Sequence, residues 1–252
     1  MFFKHFRRVA FWLWPGFAMM LATPSQAGIV LGTTRVILPA PDKEAALMVR
    51  NTGAGDILAQ SWIEAEGDSG ASGSLPFAVT PPLARMSGDG RQLVRIIYSG
   101  EGLPKDRESV FWVNVQEIPQ TGKENQLQIA IRQRIKLFYR PMGLAADPLK
   151  AAEALQWQVR DGVLEVSNPG PFHVSMIMLE ARRNGQLLLQ EDGRMLGPMQ
   201  RLQLPLSSSG KPGALELAFV SINDYGAQEP YRARVSSEQV VQASKVEQRS
   251  DE

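Results

Sequence analysis

The stretch LQIAIRQRIKLFYRP, residues 127–141, sets four cations, Arg132, Arg134, Lys136 and Arg140, within nine residues. Ahead of them Leu127, Ile129 and Ile131 alternate with Gln128, Ala130 and Arg132, the period of a half-buried strand. An apolar cluster, Ile135, Leu137, Phe138 and Tyr139, is woven through the basic part. A strand that is apolar at one end and basic at the other must face two different surroundings. Its alternating apolar residues either join this protein's own core or enter a groove on something else. Its cations either grip an anion or are solvated surface. Periodicity alone leaves both alternatives open.

Catalytic chemistry has little to draw on. The chain has no cysteine, which excludes thiol chemistry and thiolate metal sites. Its two histidines are His5 and His173. The first 27 residues read as a secretory leader: Lys4, Arg7 and Arg8, an apolar run from Val9 to Ala22 interrupted by Pro15, then Ser25-Gln26-Ala27 with small residues where a signal peptidase reads. The run is too short to span a membrane comfortably, and no later segment approaches 18 apolar residues, so cleavage after Ala27 and no stable membrane insertion are expected. His173 is then the sole histidine. A Ser-His-Asp triad rests on that one residue and multi-histidine metal sites are excluded, so no catalytic residue, no metal and no cofactor is expected. No phosphate-binding loop of the GxxxxGK[ST] type appears either.

Cleavage removes three of the 27 basic side chains and none of the 26 acidic ones, leaving 24 against 26, a net of −2. A near-neutral chain argues against nucleic-acid binding and makes the basic strand a local feature. The remaining chain, about 225 residues, suits two ordinary domains or one large all-β domain.

The elements that must position the basic strand are themselves strands. Short β-rich runs cover Arg35 to Leu38, Ala45 to Val49, Ile57 to Ile63, Leu93 to Tyr98, Val110 to Val115 and Leu127 to Tyr139. Turn signals such as Asn51-Thr52-Gly53, Ser87 to Gly90 and Thr121-Gly122 separate them, the pattern of a β-sandwich. After Arg140-Pro141, residues 142–154 read as a linker with a turn or short helix. A second strand series follows: Leu155 to Val159, Val163 to Val166, Val174 to Arg182, Gln186 to Leu189, Gln200 to Leu204, Leu215 to Ile222 and Tyr231 to Val235. The reading is therefore all-β, with sandwich domains at 28–141 and 155–235 and a polar tail, 236–252, expected to lack fixed structure.

Six stretches carry a resemblance. TRVILP (34–39), the proline-marked FAVTPPLARM (77–86), LPKDRESVFWVNVQEIP (103–119) and IAIRQRIKLFYRP (129–141) lie in the first domain, VSNPGPFHV (166–174) and INDYGA (222–227) in the second. In this order, behind a leader, they resemble the PapD-like periplasmic chaperones of the chaperone–usher pathway, which assemble pili (fimbriae). Ala84 stands where an aromatic is common and Gly170 where threonine is common, and the second domain lacks the cysteine pair some members carry. The short connection from Pro119 to Leu127 resembles the short-loop branch.

The resemblance implies two immunoglobulin-like β-sandwiches in a boomerang-like arrangement and a non-enzymatic role in the periplasm. There the chaperone would hold an incomplete immunoglobulin-like pilus subunit by donor-strand complementation and deliver it to an outer-membrane usher. Leu127, Ile129 and Ile131 would be the inserted residues, and Arg35 and Lys136 would bind the subunit's terminal carboxylate. Arginine brings a planar donor fork and lysine a mobile point charge. Glu108 and Arg140 of the first domain and Asp224 of the second would form an interdomain charge network. An exposed donor edge also invites self-capping as a dimer. The runner-up from the same sandwiches is an exported adhesion or ligand-binding module with its site on loops at one sandwich end.

Overall fold

In a computed structural model, residues 28–67, 75–120, 129–207, 213–236 and 239–247 are described. Up to Arg140 the chain forms β1 (Ile29–Leu31), β2 (Arg35–Pro39), β3 (Glu44–Asn51), β4 (Ile57–Ala65), β5 (Phe77–Thr80), β6 (Leu83–Met86), β7 (Arg91–Tyr98), β8 (Ser109–Pro119) and β9 (Arg132–Arg140). One sheet runs β1-β3-β7-β5 and the other β2-β9-β8-β4-β6. Alternate residues of the two sheets, among them Leu47, Val49, Ile96, Val113, Val115 and Leu137, close the first core. The alternation seen in the sequence is thus the pleat, one face toward the opposite sheet and one away from it.

A single 3-10 turn, Pro148–Lys150, capped by the Asp147 side chain, separates this sandwich from the next. The second comprises β10 (Gln156–Arg160), β11 (Val163–Ser167), β12 (Val174–Arg183), β13 (Gln186–Leu196), β14 (Arg201–Pro205), β15 (Leu215–Ile222), β16 (Gln228–Val235), β17 (Val241–Gln242) and β18 (Ser244–Lys245). Its sheets are β14-β11-β10-β17 and β13-β12-β15-β16-β18. The core is built around Trp157, Phe219 and Tyr231, whose rings pack in series.

Two expectations change. The strand foreseen from Leu127 starts at Arg132, with Ile131 adding one more bond by accepting from Glu117 N at 2.9 Å. Leu127 lies outside the described residues, and Ile129 is 67% exposed. The reason is a neighbour missing among the described residues. β2 pairs with β9 in parallel only from Arg35↔Lys136 onward, and β8 pairs with it only as far back as Gln116↔Arg132. A β-prone sequence with no second neighbour and no facing core gains little from extended pairing.

The second change is in the tail. Residues 241–242 pair with β10 and residues 244–245 with β16, so the tail crosses from one sheet to the other and buries Ala243 between them. Lys245 Nζ then reaches Glu229 at 2.8 Å. Polar composition misleads here because such short strands use backbone groups to cover two sheet edges and need almost no apolar side chain. Truncation after Val235 is expected to lower the second domain's calorimetric transition by about 5–10 °C and leave the first domain's transition in place.

Candidate functional site

Alternation along β9 sorts its side chains onto two faces. The odd-numbered line meets the first core at its far end, where Leu137 is fully buried and Ile135 packs beside it, while Ile131 and Ile129 precede the strand and Ile129 is largely exposed. Between them Gln133 turns its side-chain amide to the Ile29 carbonyl at 2.7 Å, closing off β1. Apolar residues on this strand therefore serve the protein's own core at one end and stand outside it at the other.

The even-numbered line carries the cations, and they divide by partner. Arg132 and Arg134 lie over the rings of Trp62 and Trp112, at 4.9 and 4.1 Å from the centroids. Both meet one carboxylate, Glu64, at 2.8 and 3.6 Å. Those two charges are committed within the sheet's own outer face. Arg140, at the other end, enters an interdomain network. Its Nε and Nη2 donate to Glu108 Oε1 at 3.1 and 2.8 Å, while Nη1 and Nη2 donate to Asp224 at 2.6 and 3.0 Å. The Glu108 side chain is 1% exposed. Its second oxygen accepts from His173 N and lies 2.9 Å from His173 Nδ1. Burial works against the Arg140 charge, yet the hydrogen bonds and charges of Asp224 and Glu108 raise its pKa above that of an ordinary arginine.

Asp224 is held by its own turn. Asn223 Oδ1 accepts from Tyr225 N and Ala227 N, both at 3.0 Å. Gly226, at φ +81°, lies so close to the first domain that a Cβ there would stand 2.7 Å from Thr34 Oγ1. Only glycine combines that backbone with that approach. The turn between β15 and β16 thus lands beside the start of β2.

Arg35 and Lys136 remain. They are direct neighbours across the parallel β2–β9 pair, on the face turned to the second domain. Lys136 Nζ donates to Ser175 Oγ at 3.1 Å, and Arg35 Nη1 donates to the Ile222 carbonyl at 2.8 Å. Neither makes an ion pair among the described residues, and Arg35 Nε is buried without a partner there. Burial first, then repulsion from Arg35, lowers the Lys136 pKa; burial also lowers that of Arg35, with Asp224 and Glu108 acting in the opposite direction. Two partly desolvated cations side by side, with donors left over, have the chemistry to meet an anion able to take several hydrogen bonds, such as a carboxylate.

Of the described residues selected from sequence, Ile129 and Ile131 precede β9, Arg35 and Lys136 are neighbours where β2 begins to pair with it, and Glu108, Arg140 and Asp224 meet at its far end. Sequence reasoning missed His173 as the further partner of Glu108, Ser175 and Ile222 as cleft partners, and the Trp62–Trp112–Glu64 set. Parity along IRQRIK could have flagged a common face for Arg132, Arg134 and Lys136, but not their partners on other strands.

Residues 28–145 match the family described as "Pili and flagellar-assembly chaperone, PapD N-terminal domain", and residues 150–233 match "Pili assembly chaperone PapD, C-terminal domain". Chaperone protein FimB/FhaD of Bordetella pertussis is 38% identical over 235 residues, covering 88% of this chain and 94% of that one. Chaperone protein FimC of Escherichia coli is 40% identical over 219 residues, covering 84% and 86%. Among solved structures, the YadV chaperone aligns with a TM-score of 0.70 at 36% identity, over 82% of this chain and all of that one. A Salmonella enterica SafA pilin in complex with the SafB chaperone aligns with a TM-score of 0.68 at 28% identity, over 84% and 98%. With two sandwiches, matching profiles over both and relatives this similar along most of its length, the chain belongs to the PapD-like family of pilus-assembly chaperones.

Proposed function

We propose that this protein captures pilus subunits in the periplasm by lending them a strand. The observation that carries the reading is the half-paired β9: among the described residues nothing pairs with its second edge before Lys136, and that run ends at two cations that make no ion pair there. A subunit strand lying along that edge brings its terminal carboxylate to Arg35 and Lys136 and runs parallel to β9. Backbone hydrogen bonds form along the edge while Ile131, Ile129 and Leu127 enter the subunit's groove at alternate positions. Each such burial contributes about 1.5–3 kcal/mol before ordering costs. The anchored carboxylate fixes register, since a one-residue slip would turn every side chain to the wrong face.

In this reading residues 1–27 are a leader that directs export and is cut away, the sandwiches are the 28–141 and 155–235 domains, and Glu108, Arg140 and Asp224 hold the angle between them. A bound subunit is passed to an outer-membrane usher without nucleotide or cofactor. Between subunits, a second copy of the chain caps the open edge. The pilin–chaperone pair among the similar structures supports a subunit as the cargo.

Recovery of the protein from periplasm, with bound proteins identified by mass spectrometry, tests the reading. Small immunoglobulin-like subunits in one-to-one ratio are expected. Protein recovered alone from cells that express pilus subunits sinks it, and turns attention to the loops at the sandwich ends.

A further inference from the structure

Glu117 lies on the face of β8 that carries Val113 and Val115 into the first core, and it is 8% exposed. Its Oε2 is buried with no hydrogen-bond partner among the described residues. Burial pushes its pKa up. A carboxyl group placed this way must either keep its proton or find a cation.

What it touches is Gly28. A methyl group on Gly28 would stand 1.8 Å from Glu117 Oε2 and 2.3 Å from both Cδ and Oε1, so the carboxyl group lies directly on the bare α-carbon. Bond geometry then keeps the Gly28 nitrogen within about 4 Å of that oxygen. Gly28 is itself held, its carbonyl accepting from Thr52 N at 2.8 Å, and the next residue, Ile29, is fully buried.

We propose that Glu117 is a built receptor for the chain's own processed N-terminus: once the leader is cut after Ala27, the α-ammonium of Gly28 is its counter-ion. This rests on the leader reading given under Proposed function. Hydrolysis of the Ala27–Gly28 peptide by a signal peptidase consumes one water, leaves a carboxylate on Ala27 and an ammonium on Gly28, and so creates the missing cation at the missing place. Before cleavage the same nitrogen is a neutral amide and the buried carboxyl group has no charge to meet. The first sandwich therefore reaches full stability only after processing, which ties its folding to export. Glycine at 28 serves the receptor, because any side chain there would displace the carboxyl group.

Three forms test this: the periplasmic protein, its Glu117→Gln variant, and each chain prepared with Ala27 retained by cleavage of a fusion tag. Intact mass is expected to give Gly28 as the first residue of the periplasmic form. Reductive dimethylation of the folded protein is expected to label the Gly28 amine about tenfold more slowly than in Glu117→Gln, because each unit by which the carboxylate raises the amine pKa removes tenfold of the reactive free base. Retaining Ala27 is expected to lower the first domain's Tm by about 5 °C when Glu117 is present, and by less than about 1 °C in the Glu117→Gln variant, which has no charge to orphan. Equal labelling rates, or an equal Tm cost of Ala27 in both backgrounds, overturn the pairing while leaving cleavage intact. A periplasmic chain starting elsewhere overturns both the pairing and the Ala27 cleavage site. Subunit capture is read separately and stands or falls without either.

Discussion

Lys136→Ala is expected to lose subunit capture by about 100-fold or more while the free protein becomes no less stable. Truncating one partner of a desolvated, hydrogen-bonded charge pair costs binding on that scale. The free protein behaves in the opposite sense because Lys136 is unfavourable where it sits. Burial and the neighbouring Arg35 lower its pKa, and its hydrogen-bond partner is the neutral Ser175 hydroxyl. Linkage fixes the pH signature. A base whose folded pKa lies below its unfolded value destabilises the fold fully at pH below the folded pKa, and that penalty fades as pH rises through the unfolded value near 10.4. The stability gap between Lys136→Ala and wild type is therefore widest at neutral pH and closes in alkali. A carboxylate bound beside Lys136 would remove the same penalty at neutral pH and gain affinity by doing so. Arg35→Ala is expected to weaken capture in the same way, but it also removes the bond to the Ile222 carbonyl and so loosens the domain contact. Pull-down of subunits alongside thermal melts from about pH 7 to 10.5 measures both quantities. Loss of capture accompanied by a large loss of stability at neutral pH would instead make Lys136 a structural residue.

What the sequence made legible was whatever a single strand encodes. Short β-rich runs between turn signals placed most strands of both sandwiches, though not β1, β5 or β6. Pairing between strands is not encoded that way. Glu64 neutralises Arg132 and Arg134 from β4, a strand 68 residues away for the Arg132 contact, and only the sheet order brings them together. The role of His173 was hidden for the same reason, since Glu108 reaches it across the domain boundary. The starting point of β9 depends on where β8 stops pairing with it, at Gln116↔Arg132, which no pattern within residues 127–141 records. The tail was misread because its contribution is backbone pairing at two edges, to which composition is blind.

Arg140→Ala is expected to be the most damaging single change in the interdomain network, at about 3–5 kcal/mol. The magnitude comes from what is left behind more than from what is removed. Glu108 is 1% exposed, and Arg140 supplies two of its hydrogen bonds and its guanidinium partner. Without it a buried carboxylate keeps only the His173 contacts. Asp224, at 25% side-chain exposure, can return to water and suffers less. If orphaned charge is the cause, adding Glu108→Gln to Arg140→Ala restores part of the lost stability, although it removes yet another member of the network. Ordinary loss of contacts gives the reverse order, with the double variant the less stable. Replacing Glu108, Arg140 and Asp224 together by apolar residues of similar volume separates stability from geometry. Buried ion networks are often no more stabilising than apolar packing, so the triple variant is expected to melt near wild type. The angle between domains should broaden in solution scattering, because apolar contacts lack the directionality of the bidentate Arg140–Asp224 pair. Capture of subunits then falls even though Arg35 and Lys136 are untouched, since each reaches its cleft partner, Ile222 or Ser175, on the other domain. A triple variant with wild-type scattering and wild-type capture would show that the hinge is set by the Gly226–Thr34 contact and the 148–150 turn instead.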